Sequence, residues 1–197
     1  MELLTTWLRH NLCVGLCLLL ALWVAVSGGL VARAESPAPT MHQVEAAFLF
    51  NFAKFVTWPD DVFERGDNSM IIGVLGEDPV GVILEETVRD KTIMGKKLAV
   101  KRFMRVQDAV KSHILFLSSS EESHLPQTMK ALEKTHILTV SDMEGFAERG
   151  GMIALTVEDQ KVRFNVNVDA VERAGLKMGS QLLKLARIVT DKSRTGN

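Results

Sequence analysis

The chain has 197 residues, 47% apolar and 24% charged, with a formal net charge of −1. This is the composition of one globular domain, too apolar for a disordered chain and too weakly charged for the basic footprint of a nucleic-acid binder. Its two cysteines, Cys13 and Cys17, both lie in the first twenty residues.

Residues 12–26 form an unbroken apolar run, LCVGLCLLLALWVAV. Ser27, Gly28 and Gly29 break it, and Ala32-Arg33-Ala34 then offers small residues at both positions that a signal peptidase reads. Residues 1–34 are therefore expected to be a secretory signal peptide cleaved after Ala34. The alternative is an uncleaved N-terminal anchor. Cleavage leaves 21 basic and 23 acidic residues and no cysteine. Thiol nucleophiles, zinc–cysteine sites and redox pairs are then excluded from the mature chain.

Thr40-Met41-His42-Gln43 fits a capping box, so a helix should run from there to about residue 56. It carries Phe48, Phe50, Phe52 and Phe55 on more than one side, and Trp58-Pro59 ends it. A helix this apolar is deeply buried or shared with a partner. Phe48, Asn51, Phe52 and Phe55 are accordingly expected at a dimer seam or in the core.

Residues 70–75 (MIIGVL) read as a buried strand. Asp78 and Pro79 then suit the cap and first residue of a helix reaching about residue 90. Strands are expected at 98–103, 113–117 and 137–140, with one helical turn at 106–110 and a helix at 125–134. Residues 152–157 and 161–168 should form an antiparallel hairpin. In its second strand Val162, Phe164, Val166 and Val168 alternate with Arg163, Asn165 and Asn167. Asp169 should cap a short helix ending at Gly175, and Gly179-Ser180 should open a last helix through residue 189. The fold class is a single-domain α/β sandwich: a mixed, partly parallel sheet flanked by helices, with a C-terminal antiparallel hairpin. The domain is placed at 42–190 and a flexible tail at 191–197.

No catalytic constellation emerges. Gly73-Val74-Leu75-Gly76 lacks the full dinucleotide and phosphate-loop patterns, and Glu77 and Asp78 would repel a phosphate. His42 and Glu45 are spaced to share a helix face, yet no H-E-x-x-H accompanies them. Ser141-Asp142 follows a strand without a nucleophile elbow. No cofactor or metal is expected. The glycine-rich stretch 142–151 places Phe146 among charges, either tucked against the core or exposed as a contact residue.

Three groups of residues, taken together, carry a resemblance. The first is Phe48-Leu49-Phe50-Asn51-Phe52-Ala53-Lys54-Phe55-Val56-Thr57-Trp58-Pro59. The second is Leu138-Thr139-Val140-Ser141-Asp142 with Gly145-Phe146 and Gly150-Gly151-Met152-Ile153. The third is Arg163-Phe164-Asn165-Val166-Asn167 with Ala174-Gly175-Leu176 and Leu182-Leu183-Lys184-Leu185-Ala186. In this order behind a signal peptide, they resemble the YfiR-like family of bacterial periplasmic proteins, over about 44–189. The resemblance implies a non-enzymatic, homodimeric periplasmic regulator. It would bind and restrain an inner-membrane sensor, a diguanylate cyclase, and so bear on cyclic di-GMP and biofilm formation. An outer-membrane lipoprotein that sequesters the regulator is also implied. Phe146, Glu158 and Arg163 are the contact residues expected for the sensor. The family's disulfides have no counterpart: Ser112 stands before His113 where a family cysteine is plausible. The second expectation is a small-ligand-binding periplasmic module, with a pocket near Gly76 or Ser141-Asp142 at the strand ends.

Overall fold

The structure is a computed structural model that describes residues 38–63, 69–159 and 161–192. The expected signal peptide lies outside the described residues. Helix α1 spans Met41–Phe55, entered through the expected capping box. The Gln43 amide donates to Thr40 Oγ1 at 3.3 Å, and the Thr40 amide donates to Gln43 Oε1 at 2.8 Å. A two-residue strand β1 (Val56–Thr57) and a 3₁₀ turn (Asp60–Phe63) follow.

The sheet begins with β2 (Ser69–Leu75). Then come α2 (Gly81–Val88), β3 (Thr92–Ile93), β4 (Lys96–Phe103), α3 (Val106–Ala109) and β5 (Ile114–Leu117). A 3₁₀ turn (Ser119–His124) leads into α4 (Leu125–Leu132) and β6 (Leu138–Ser141). The hairpin is β7 (Ile153–Glu158) with β8 (Lys161–Asn167). The chain then forms α5 (Val168–Arg173), β9 (Lys177–Met178), α6 (Ser180–Leu183) and β10 (Arg187–Val189).

Eight strands make the main sheet, in the order β10-β8-β7-β6-β5-β2-β4-β3. Strands β4, β2, β5, β6 and β7 are parallel, β8 runs antiparallel to β7, and β10 is parallel to β8. The mixed α/β sandwich and its hairpin are thus as the sequence predicts. Strands β1 and β9 pair apart from this sheet.

Both faces of the central strands are covered, which is why they read as continuous apolar runs rather than alternating ones. Met70, Ile72, Val74, Ile114, Phe116, Leu138 and Val140 face α1, α2 and α5 in the larger core. Leu75, Leu115 and Leu117 face α3, α4 and the 143–147 segment in the smaller one.

Four local expectations change. The last helix is a single turn, because residues 187–189 leave it to lie parallel beside β8. The short helix α5 is capped by Asn167, whose Oδ1 accepts the Ala170 amide at 3.0 Å, rather than by Asp169. Helix α2 starts at Gly81, with Asp78 reaching forward to accept the Gly81 amide. Asp191 and Lys192, expected in the flexible tail, are held: Asp191 is buried and pairs with Arg173 at 3.3 Å, and the Lys192 amide donates to Glu148 O at 2.9 Å; the rest of the expected tail lies outside the described residues.

Candidate interaction surface

The β7–β8 hairpin projects from one end of the sheet. Register explains this: Val140 and Ser141, the last residues of β6, lie beside Ile153 and Ala154, the first of β7. The rest of β7 therefore runs past the edge of its parallel neighbour. Its outer half is exposed from Val157 onward, and Asp159 turns the chain at φ 51.

Alternation in a strand sends successive side chains to opposite faces. Thr156 lies opposite Arg163, and Glu158 opposite Lys161, so these four share one face of the hairpin. Arg187 of β10 is in register with Asn165 on that face, and its Nη1 lies 4.0 Å from Glu158 Oε1. Glu158 and Arg163, both expected as contact residues, are exposed here. The opposite face is apolar. Phe164 packs on Phe48 and Phe52 of α1, at centroid distances of 5.3 and 5.5 Å. Val157, near the outer end of this face, is 52% exposed; Ile188 of β10, in register with Val166, is 53% exposed, and Leu185 just before β10 is 72% exposed.

Phe146 does not join this surface. It is fully buried in the smaller core, which overturns its expected contact role. Gly151 makes this packing feasible, since a Cβ there would lie 2.2 Å from the Phe146 ring. The charged residues around Phe146 in sequence sit on a loop that folds inward on its one aromatic residue.

The α1 aromatics divide. Phe52 is fully buried and belongs to the core, whereas Phe48, Asn51 and Phe55 are half-buried. Phe50 is capped by cations: Lys91 Nζ lies 4.4 Å and Lys54 Nζ 5.5 Å from its ring centroid. Much of the apolar excess seen in this helix is therefore satisfied within the chain.

The other expected sites resolve into structural roles. Ser141 Oγ donates to Leu117 O at 2.7 Å and accepts the Met143 amide at 3.0 Å. Burial pushes the neighbouring Asp142 carboxyl above its ordinary value, opposed by backbone hydrogen bonds from its own amide and from Ser119 and by the charge of His42. Its Oδ1 is buried without a hydrogen-bond partner among the described residues. Space beside Gly76 is filled: a Cβ there would lie 2.6 Å from Ser120 Oγ and 2.8 Å from Glu121 Cγ. His42 Nδ1 lies 2.9 Å from Glu45 Oε2. Among the described residues, no group of three His, Cys, Asp or Glu side chains is placed to hold a metal. No helix of the described residues is long and apolar enough to cross a membrane.

Sequence reasoning missed Val157, Leu185 and Ile188. The signal existed in the hairpin, where Val157 and Val162 continue the apolar alternation past the stretch that one helix can cover. Leu185 falls on the helical stripe expected of the last helix, and Ile188 falls within that same expected helix, so neither reads as an exposed residue beside a strand.

Residues 42–187 match the model of the YfiR/HmsC-like family, and the chain belongs to that family of periplasmic regulators. Among solved structures, the chain is similar to the ABC domain in complex with L-Trp from Streptococcus pneumonia. That match has 10% identity and a TM-score of 0.45, over 63% of this chain and 56% of that chain.

Proposed function

We propose that this YfiR/HmsC-like chain restrains an inner-membrane signalling protein, a diguanylate cyclase, by binding its periplasmic domain. The observation that carries the reading is the projecting hairpin. Together with the adjoining β10 it offers a charged face (Glu158, Arg163, and Arg187 of β10) and exposed apolar residues on the opposite face (Val157, and Ile188 of β10). An apolar patch with a polar rim is the usual make-up of a protein contact. The regulator would act by preferring one conformation of the sensor. Restraint can be no stronger than that preference, and moving a sensor from 1:99 to 99:1 takes about 5.5 kcal/mol.

A homodimer and sequestration by an outer-membrane lipoprotein belong to the same proposal. Phe48, Asn51 and Phe55 are half-buried and remain available for a dimer seam; Phe52 does not. The expected ligand pocket near Gly76 or Ser141-Asp142 gains no support, because the groups there are packed and bonded to one another.

The test is capture of the sensor from native membranes by the wild-type chain and by an Arg163→Glu, Val157→Asp double variant. Both positions are solvent-facing, so the variant should keep its melting temperature and lose about tenfold or more in sensor affinity. A folded variant that captures the sensor as well as wild type would remove the hairpin from the interface. Failure of the wild type to capture any cyclase would sink the regulatory reading itself.

A further inference from the structure

At the opposite end of the sheet, where β5 and β6 begin, lies a cavity of about 540 Å³. That is within the range of roughly 300–1,000 Å³ typical of small-molecule pockets. Val62, Val110 and Ile137 give it apolar walls. Its charged lining is of one sign: Lys111 and Lys134 contribute, and no acidic residue does among the described residues around it. Neither lysine forms an ion pair with a described residue. We infer that this cavity binds a small organic anion, a carboxylate or phosphate carried on a compact apolar body.

Three features show that the lining is held in place. Lys134 is the residue after the C-cap of α4 and sits at φ 64, the left-handed region where glycine ordinarily stands. A lysine there costs the fold some stability and puts a cation on the rim. His136 forms another part of the wall. Its Nδ1 donates to Ala174 O at 2.6 Å, which fixes the ring. Gly175 makes room for that ring, since a Cβ at Gly175 would lie 3.1 Å from His136 Nδ1. Thr135 completes the arrangement. Its hydroxyl and its amide both donate to Leu132 O, at 2.7 and 3.1 Å, so this carbonyl at the end of α4 is already engaged within the chain. Lys111 and Lys134, exposed beside apolar walls and without an ion-pair partner among the described residues, favour a ligand with both properties, because its apolar body can fill the cavity while its anionic head meets the two ammonium groups.

The pocket lies at the end of the sheet remote from the hairpin, so this inference does not depend on the regulatory reading. The experiment titrates the full chain with phenylacetate and with phenylphosphate, using benzyl alcohol as the neutral control, and follows backbone amide shifts. Saturable shifts at Lys111 and at Lys134–Ile137 with either anion, absent with benzyl alcohol, are the expected result. The tighter of the two anions identifies the head group. Lys134→Gly should raise the melting temperature by relieving the left-handed lysine, and Lys111→Gln should leave it unchanged. Each should weaken anion binding by about threefold to tenfold. Absence of saturable shifts at these residues with both anions would overturn the inference. So would equal shifts with benzyl alcohol, or Lys111→Gln and Lys134→Gly variants that bind the anions like wild type.

Discussion

His113 Nδ1 accepts the backbone amide of Ile71 at 3.0 Å, while the His113 amide donates to the Ile71 carbonyl at 2.9 Å. The histidine thus extends the ladder between β2 and β5 by one rung made from a side chain. Trp58 Nε1 donates to the His113 carbonyl at 3.3 Å, and Phe63 stacks on the imidazole at 5.1 Å. One buried residue therefore ties the segment after β1 and the 3₁₀ turn to the sheet. Replacing it with leucine leaves the Ile71 amide buried without its side-chain acceptor. His113→Leu should lower stability by about 1–3 kcal/mol, whereas His113→Asn, which retains an acceptor near the same place, should recover part of the loss. Urea unfolding of the two variants measures the difference.

Asp142 makes stability depend on pH in a defined direction. Burial raises its carboxyl above the ordinary value in the folded state, so the folded chain holds this proton more tightly than the unfolded chain. Stability from this group therefore falls as pH rises from the unfolded value through the folded one, and stays lower above it. Asp142→Asn should raise the melting temperature at neutral pH. It should do little at pH values acidic enough to protonate the carboxyl in both states. A melting-temperature profile across pH for both proteins reads this out. A wild-type stability that rises through that window on account of Asp142 would contradict it.

Phe146 and Gly151 should behave as a packing pair. Phe146→Ala is expected to cost about 3–5 kcal/mol as a cavity in a sealed core. Gly151→Ala is expected to cost about 1–3 kcal/mol through overpacking. Phe146→Asp should compromise folding outright, so loss of sensor binding by that variant would carry no information about the interface. Thermal melts and amide exchange distinguish the cases.

How far this fold could be read in its residues depended on how local the cause was. The capping box at Thr40, the buried strand at 70–75 and the alternation from Val162 to Val166 are set by neighbouring side chains and are found where expected; the alternation stops there, because Asn167 is buried as a helix cap and Val168 already belongs to α5. The last helix failed for a nonlocal reason. Residues 182–189 carry a helical stripe, yet an open edge on β8 offers Arg187, Ile188 and Val189 a ladder partner that no window of the sequence displays. The proposed contact surface was half legible. Glu158 and Arg163 follow from turn chemistry and alternation, whereas exposure at Ile188 depends on β10 lying at the edge of the sheet beside β8, which no local pattern displays. Phe146 shows the same limit from the other side, since Gly151, five residues on, decides that its ring turns inward.

Asn167 should tolerate one substitution better than another. It is fully buried, with Nδ2 donating to Ala147 O at 2.9 Å and Oδ1 accepting from Ala170 at 3.0 Å. Asn167→Asp keeps the helix cap but places a carboxylate against a carbonyl. Asn167→Ser keeps a capping oxygen and adds no charge. The aspartate variant should therefore be the less stable at neutral pH, with the gap narrowing in acid as the carboxyl gains a proton and can donate. Denaturant midpoints at two pH values settle the order.

The position of β10 has a consequence for how the chain reaches its final form. Strands β2, β4 and β5 can pair once residue 117 is available, but β8 must wait for residues 187–189 before its outer side is occupied. During that interval β8 presents a bare ladder beside Phe164 and Val166, the kind of surface that recruits another chain. Three residues near the end of the described chain thus close the seam through which newly made copies would otherwise adhere to one another.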